Sequence, residues 1–200
     1  MMTHSISTSE PTRLSVNDDI FKSISIEIEN NRGSSIPQPI LIIGQYGCGK
    51  TTLLKRLRDS DACKGRPVTW IDGRTLFSSE DIISRVDRRN DTIVFIDDMD
   101  FYLTRCNYDE QFRLRGFLYN EGAPMMIATA SKVLPALAEY NAPFFEGLKN
   151  VHIPPVTHYN ITPLFQEQDP DRVNSLMSLL PPTIKSVETV RNIIRLNDNP

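Results

Sequence analysis

Long apolar runs and long basic runs are both missing from this sequence. No stretch of about 18 consecutive apolar residues occurs, which is the length that a membrane-spanning helix needs, so we expect no membrane span. The 22 basic and 25 acidic side chains give a net charge of −3, which does not favour nucleic acid as a partner. The polar residues 1–13 lack the apolar centre of a secretion signal and predict a disordered tail.

Cysteine is scarce as well. The sequence contains three cysteines at widely separated positions, Cys48, Cys63 and Cys106. Their spacing fits neither a metal site nor a disulfide framework, which favours a reduced, cytoplasmic setting. With 200 residues and 40% hydrophobic content, the chain is long enough for one domain with a buried core and a small appendage.

A glycine-rich segment follows the first strongly apolar run of the sequence. Residues 44–51 read Gly-Gln-Tyr-Gly-Cys-Gly-Lys-Thr and match G-x-x-x-x-G-K-[ST], the pattern of a phosphate-binding loop, or P-loop. The apolar residues 39–43 before it predict a buried strand, and residues 52–57 after it predict the start of a helix. Strand, loop and helix in this order are the context that the pattern requires.

The residue types in this loop indicate how it would hold a nucleotide. Glycines allow the backbone to turn tightly, so that N–H groups and the positive end of the following helix can hold phosphate oxygens. We expect Lys50 to reach the outer phosphates and the Thr51 hydroxyl to bind Mg²⁺. The predicted nucleotide-binding residues are Gly44, Gln45, Tyr46, Gly47, Cys48, Gly49, Lys50, Thr51 and Thr52.

Cys48 lies inside this loop, and two interpretations of it are open. Its thiol could have a low pKa and be sensitive to oxidation, because the loop is electropositive. Alternatively, it is only a small residue that fits the loop, and this second interpretation is favoured.

Helical and strand patterns alternate along the chain after the P-loop. The predicted strands cover residues 39–43, 68–71, 92–96, 125–128 and 151–153, and the predicted helices cover 50–59, 80–89, 108–120 and 132–140. Ser78 and Asp81 form a capping-box pattern before the second of these helices. Five strands that alternate with helices predict an α/β fold with a parallel, doubly wound sheet.

The two ends of the chain differ in character from this alternating region. Residues 16–30 favour a helix capped by Asn17 or Asp18, although residues 24–28 alternate and could form a strand. Three short helical windows, over 160–168, 171–179 and 184–196, follow the last strand. We therefore predict a nucleotide-binding core over 14–157 and a small helical lid over 158–200.

A second cluster of polar residues follows two of the predicted strands. The apolar residues 93–96 run into Asp97 and Asp98, which is the Walker B pattern. Asp97 would hold Mg²⁺, and Asp98 would act as the base or water-positioning group for attack on the γ-phosphate. Asp100 is expected to be a cap or surface residue.

Residues 128–131, Ala-Thr-Ala-Ser, end the next predicted strand. Thr129 or Ser131 could sense the γ-phosphate or orient the attacking water. The alternative is that Ser131 caps the following helix. The predicted catalytic residues are thus Lys50, Asp98, Thr129 and Ser131, and the predicted metal ligands are Thr51 and Asp97.

Taken together, these motifs resemble the AAA+ and STAND-like P-loop ATPases. The segments that carry the resemblance are 44–52, 93–98, 128–131 and 142–157, and residues 96–102 are similar to the corresponding part of bacterial replication-initiator ATPases. The resemblance implies a five-stranded sheet of order 5-1-4-3-2, a C-terminal helical lid, and ATP with Mg²⁺ as ligands. It also implies that residues 14–20 correspond in position to the segment that contacts adenine.

Three departures from the AAA+ pattern bear on activity. Asp98 stands where AAA+ motors usually carry Glu, and the shorter side chain predicts slow hydrolysis. No Arg stands at the usual arginine-finger position, where Lys149 is the nearest cation. The sequence ends after residues 196–200, where an Arg sensor often follows a similar Asn-Pro, so that the lid is either truncated here or lacks that sensor.

The sequence therefore predicts a Mg²⁺-dependent ATP-binding and ATP-hydrolysing switch or weak motor, with a protein partner or further copies of itself. Two alternatives stay open: a nucleotide-gated assembly module with little hydrolysis, and a DNA-associated initiator or loader ATPase. A small-molecule kinase is less favoured, because Arg85, Arg88 and Arg89 look like a solvated helix face rather than an acceptor site.

Overall fold

A computed structural model describes residues 17–87, 91–144, 146–157, 165 and 169–198. Its sheet has five parallel strands in the order β2-β3-β4-β1-β5. These strands are β1 (Ile40–Ile43), β2 (Val68–Asp72), β3 (Ile93–Asp97), β4 (Met125–Ala130) and β5 (Lys149–His152). The predicted order 5-1-4-3-2 is the same order read from the other edge, and it is confirmed.

Helices cover both faces of this sheet. In chain order they are α1 (Asp18–Asn30), α2 (Lys50–Arg58), α3 (Glu80–Ile83), α4 (Asp100–Arg105), α5 (Tyr108–Leu118), α6 (Pro135–Ala138), α7 (Pro170–Ser178) and α8 (Ile184–Asp198). The helix prediction for residues 16–30 is confirmed, and the alternative of a strand over 24–28 is wrong.

Alternate residues of each strand supply the two halves of the core, because successive side chains of a strand point to opposite faces. Ile42 and Phe95 pack on the face covered by α1, α2, α7 and α8. Leu41 and Ile96 pack on the face covered by α3, α4, α5 and α6. All four side chains are fully buried, and each such burial stabilises the fold by about 1.5–3 kcal/mol.

Several short elements differ from their predictions. The helices predicted over 80–89 and 132–140 shrink to α3 and α6, which have four residues each. Leu134 is extended because it precedes Pro135, and the residue before a proline disfavours the helical conformation. The helix α4 had not been predicted, and β4 runs on to Ala130, so that Thr129 lies within the strand.

Some predictions fall outside the described residues. These are the tail over 1–13, the helix over 160–168 apart from residue 165, and the side chains of Arg88 and Arg89. Within the part of the chain that is described, no helix has both the length and the apolar character needed to cross a membrane.

Candidate nucleotide-binding site

The P-loop connects the end of β1 to the start of α2, as the sequence pattern predicts. Gly47 has φ of 81° and Gly49 has φ of 95°, which is a left-handed region that side chains other than glycine rarely adopt. Gly44 has a different reason to be glycine, since a Cβ there would lie 2.6 Å from Cys48 Sγ. The loop thus turns tightly in front of the N-terminus of α2, where helix N–H groups favour anions.

Lys50 is the first residue of α2 and is held inside this turn. Its Nζ donates to the backbone oxygens of Gly44, at 2.7 Å, and Gln45, at 3.1 Å. Only 7% of the residue is exposed. Both carbonyls belong to the loop itself, so the ammonium lies where a bound phosphate would be.

Thr51 and Asp97 meet at the carboxyl end of the sheet. The Thr51 hydroxyl donates to Asp97 Oδ2 at 2.8 Å, and Thr129 Oγ1 donates to Asp97 Oδ1 at 2.6 Å. Thr129 also accepts a bond from the backbone N–H of Asp98 at 2.8 Å. Because β4 lies between β1 and β3, Thr129 stands next to Asp97 and fixes its carboxylate from behind.

This donor set fits a magnesium ion that is shared with a phosphate ligand. Mg²⁺ usually binds proteins through one or two carboxylates together with phosphates and water. Thr51 and Asp97 offer one hydroxyl and one carboxylate on adjacent elements. Among the described residues, no group of three or more His, Cys, Asp or Glu side chains could hold a metal ion without such a ligand.

Asp98 follows directly, with φ of 55°, a conformation that Asp tolerates better than most residues. The chain packs tightly here, because a Cβ at Gly73 would lie 2.3 Å from the Asp98 backbone oxygen. Burial raises the pKa of the Asp98 carboxyl, and the neighbouring Asp97 and Asp100 raise it further. Arg74 opposes this shift, with Nε at 3.8 Å from Asp98 Oδ2.

Ser131 contacts Asp100 rather than Asp97 or Asp98. Its hydroxyl and its backbone N–H both donate to Asp100 Oδ2. The interpretation of Ser131 as a cap of the following helix is wrong, since α6 begins only at Pro135. Asp100 itself is the first residue of α4.

Cys48 is 1% exposed, and burial raises the pKa of its thiol. The interpretation as a low-pKa, oxidation-sensitive thiol is therefore wrong, and the packing against Gly44 supports the small-residue interpretation. The other two cysteines are also buried, free thiols. Lys149, the cation near the arginine-finger position, is ion-paired with Glu27.

A cavity of about 500 Å³ lies between the P-loop and the N-terminus of α8, a size typical of small-molecule sites. Its lining residues include Tyr46, Thr52 and Asp98 from the core and Thr183, Lys185, Ser186 and Thr189 from the C-terminal segment. The backbone N–H of Ile184 donates to the Gly47 oxygen at 2.9 Å, which seats α8 on the loop.

Lys185, which lines this cavity, was not predicted as a site residue, because a C-terminal cation was expected only after residue 200. Its place at the start of the last helix, just after Pro181 and Pro182, was the available signal. Asn17 was named only as a possible cap of α1, yet its side chain donates to the Cys48 oxygen at 3.1 Å.

Comparisons with known proteins place this fold. No protein-family model and no curated protein matches the sequence significantly. Among solved structures, AMPPCP-bound DnaA from Aquifex aeolicus has a TM-score of 0.65 and 18% identity, covering 92% of this chain and 63% of its own. Aeropyrum pernix ORC1 in complex with DNA has a TM-score of 0.61 and 15% identity, covering 92% and 66%. Drosophila ORC bound to DNA has a TM-score of 0.62 and 14% identity, covering 96% and 58%.

Identities this low show a shared fold alone. The chain spans between 58% and 66% of the length of these three structures. The chain therefore has the fold of AAA+ P-loop proteins such as DnaA and ORC1.

Proposed function

We propose that this chain binds ATP with Mg²⁺ at the P-loop and hydrolyses it slowly, as a nucleotide-driven switch of AAA+ or STAND type. The observation that carries the proposal is the hydrogen bond of 2.8 Å between Thr51 and Asp97. It brings the P-loop hydroxyl and the Walker B carboxylate, which are 46 residues apart in sequence, close enough to share one cation.

Each side chain then has a distinct task. The loop N–H groups and Lys50 bind the phosphates, and Thr51 and Asp97 hold the metal. Mg²⁺ bound there would neutralise part of the negative charge of the phosphates. Thr129 keeps the Asp97 carboxylate oriented, and Lys185, which lines the same cavity from α8, would add a second cation for the phosphates.

Asp98 is proposed to accept the proton of the attacking water. Its raised pKa supports this role, because a carboxylate with a higher pKa is a better proton acceptor. Its side chain is one methylene shorter than Glu, which supports slow turnover. Thr129, which is bonded to the Asp97 carboxylate, and Ser131 are the two candidates for sensing the γ-phosphate.

Titration with a fluorescent ATP analogue tests nucleotide binding. Lys50→Ala is expected to abolish binding, whereas Lys55→Ala, an exposed lysine on the same helix, should bind like the wild type. Equal affinity of Lys50→Ala and the wild type would refute the proposal.

Asp98→Asn is expected to bind ATP and lose turnover, and wild-type turnover in this variant would place the base elsewhere.

The assembly-module alternative predicts tight ATP binding with almost no hydrolysis. A single-turnover assay separates the two, since release of product within minutes to hours supports the ATPase. Sizing of the protein with and without nucleotide would show whether binding drives association with further copies.

A DNA-associated initiator or loader is the second candidate function. It is favoured by the similarity to Aeropyrum pernix ORC1 in complex with DNA and to Drosophila ORC bound to DNA. The net charge of −3 opposes it for this chain alone. DNA binding that weakens steeply with salt would support this function, and no binding at low salt would exclude it.

A further inference from the structure

We propose that Asn17 is a positioning residue for phosphate binding, which orients the Cys48–Gly49 peptide of the P-loop. The proposal rests on the proposed binding of nucleotide at this loop. Through its side-chain amide, Asn17 would direct the N–H of Gly49 towards the phosphates.

The contact itself is close and buried. Asn17 immediately precedes α1 and is 7% exposed. Its Nδ2 donates to the backbone oxygen of Cys48 at 3.1 Å, across 31 residues of sequence. A Cβ at Gly49 would lie only 3.2 Å from the same nitrogen, so the amide packs directly against the loop.

Because a peptide group is planar, this hydrogen bond also sets the direction of the Gly49 N–H. The described chain has no cis peptide bonds, and in a trans peptide the C=O and the following N–H point in opposite directions. Holding the Cys48 oxygen towards Asn17 therefore turns the Gly49 N–H to the opposite side. Glycine peptides rotate more freely than others, so this one needs an external restraint to stay in place.

Gly49 lies between two cavities, which supports this assignment. It lines a small cavity together with Asn17 and Arg56. It also lines the larger cavity beside Lys50 and Thr51. The Cys48–Gly49 peptide can therefore point its carbonyl towards Asn17 and its N–H into the larger cavity, where phosphates would bind.

The Asn17 side chain is not used as a helix cap. Asparagine is a favoured N-cap residue, yet no side-chain bond caps α1 here. The carbonyl of Cys48 can only accept, which fixes the amide with its nitrogen towards the loop. Asn17 Oδ1 is left buried without a hydrogen-bond partner among the described residues. Both features argue against the interpretation that Asn17 serves only to stabilise the start of α1.

Neighbouring contacts hold Asn17 in register with the P-loop helix. Asp18 Oδ1 forms an ion pair with Arg56 of α2 at 2.5 Å. The same guanidinium lies 4.0 Å from the centre of the Phe21 ring. The first turn of α1 is thereby fixed on α2, so the amide has a stable base from which to act on the loop.

The test compares fluorescent analogues of ATP, ADP and AMP on the full chain. Asn17→Ala is expected to weaken ATP and ADP binding about tenfold, the effect of losing roughly one hydrogen bond to a charged group. The affinity for AMP, which has a single phosphate, should change less than twofold. Asn17→Asp has a similar shape but replaces the donor with an acceptor that faces the Cys48 oxygen, so it should lose still more affinity.

Ile28→Val is the matched control, because it removes a buried methyl group near the other end of α1 and leaves the first turn and the Asn17 amide intact. It should lower the Tm and leave ATP and ADP affinity unchanged. As a second readout, ADP should shift the Gly49 amide resonance in the wild type and not in Asn17→Asp.

Two results would overturn the positioning role: wild-type ADP affinity in both Asn17 variants, or a loss of affinity that is equally large for AMP and in Ile28→Val. A wild-type protein that binds none of the nucleotides would instead contradict the proposed function.

Discussion

At the scale of single residues, the environment of Asp98 sets a pH dependence. Burial and the carboxylates of Asp97 and Asp100 raise its pKa, while Arg74 and Lys50 lower it. A base must be ionised, so turnover should fall as the pH drops through this raised pKa. We expect the acid limb of kcat/KM, which reports the free protein, to lie above the ordinary aspartate value of about 3.9.

Arg74→Gln offers a direct test of this environment. It removes a cation that stabilises the charged carboxylate, so the acid limb of kcat/KM should move to higher pH. The shift should be small, because 61% of the Arg74 side chain is exposed and water screens its charge. Arg58, which pairs with Asp59 as Arg74 pairs with Asp72, is the matched control. An acid limb that moves to lower pH, or moves equally in Arg58→Gln, would contradict the assignment.

Lys50, Thr51 and Asp97 could be selected from the sequence because each lies in a local pattern, and the structure brings Thr51 and Asp97 into contact. The sequence could not predict the bonds between Thr129 and Asp97 or between Asn17 and Cys48. Those depend on which elements become neighbours in space, and no periodicity or spacing encodes that.

At the scale of secondary-structure elements, α3 and α5 are joined by one carboxylate. Glu110 accepts hydrogen bonds from Ser79 N–H, at 2.7 Å, and Ser79 Oγ, at 2.6 Å. These bonds lower the pKa of Glu110. A lowered pKa in the folded state stabilises the fold above the unfolded-state pKa, and this contribution disappears as the pH falls through the folded-state pKa.

Glu110→Gln should therefore lower the Tm at pH 7. The difference from the wild type should shrink as the pH falls below about 4.3, the ordinary value for glutamate. Thermal unfolding across that range measures it, with the exposed Glu121→Gln as the control. A Tm difference that stays constant from pH 7 to pH 3 would show that the carboxylate charge does not join these helices.

The strands were predicted more reliably than the short helices, for a physical reason. The buried strands are runs of apolar residues that differ clearly from their flanks. Helices of four to six residues, such as α3, α4 and α6, are too short to show a helical period. The start of α4 is determined instead by tertiary contacts, including the bond of 2.7 Å from Met99 N–H to the Thr129 oxygen.

At the scale of the whole molecule, the C-terminal helices and the core share one hydrophobic interior. Val173 of α7 and Val187 of α8 belong to the same buried cluster as Ile28 of α1 and Leu54 of α2. The first turn of α8 also contacts the P-loop. A ligand in the loop would therefore touch both parts of the chain, which is the arrangement that a nucleotide-driven switch needs.

Gly47 provides the test of this coupling. A Cβ at Gly47 would lie 2.6 Å from Thr183 Cγ2, next to the start of α8, and its φ of 81° also strains any other residue. Gly47→Ala should thus push α8 away from the loop, speed amide hydrogen exchange in the first turn of α8 and weaken ATP binding.

Gly65→Ala separates the clash from the backbone strain. Gly65 has φ of 79°, and a Cβ there would meet nothing within 4 Å. Both variants carry a strain of about 1–2 kcal/mol, so both should lower the Tm, but only Gly47→Ala should alter exchange in α8. Both variants place a Cβ at a strained φ, but only the one at Gly47 meets Thr183, so equal exchange in α8 would mean that the loop and the C-terminal helices move independently.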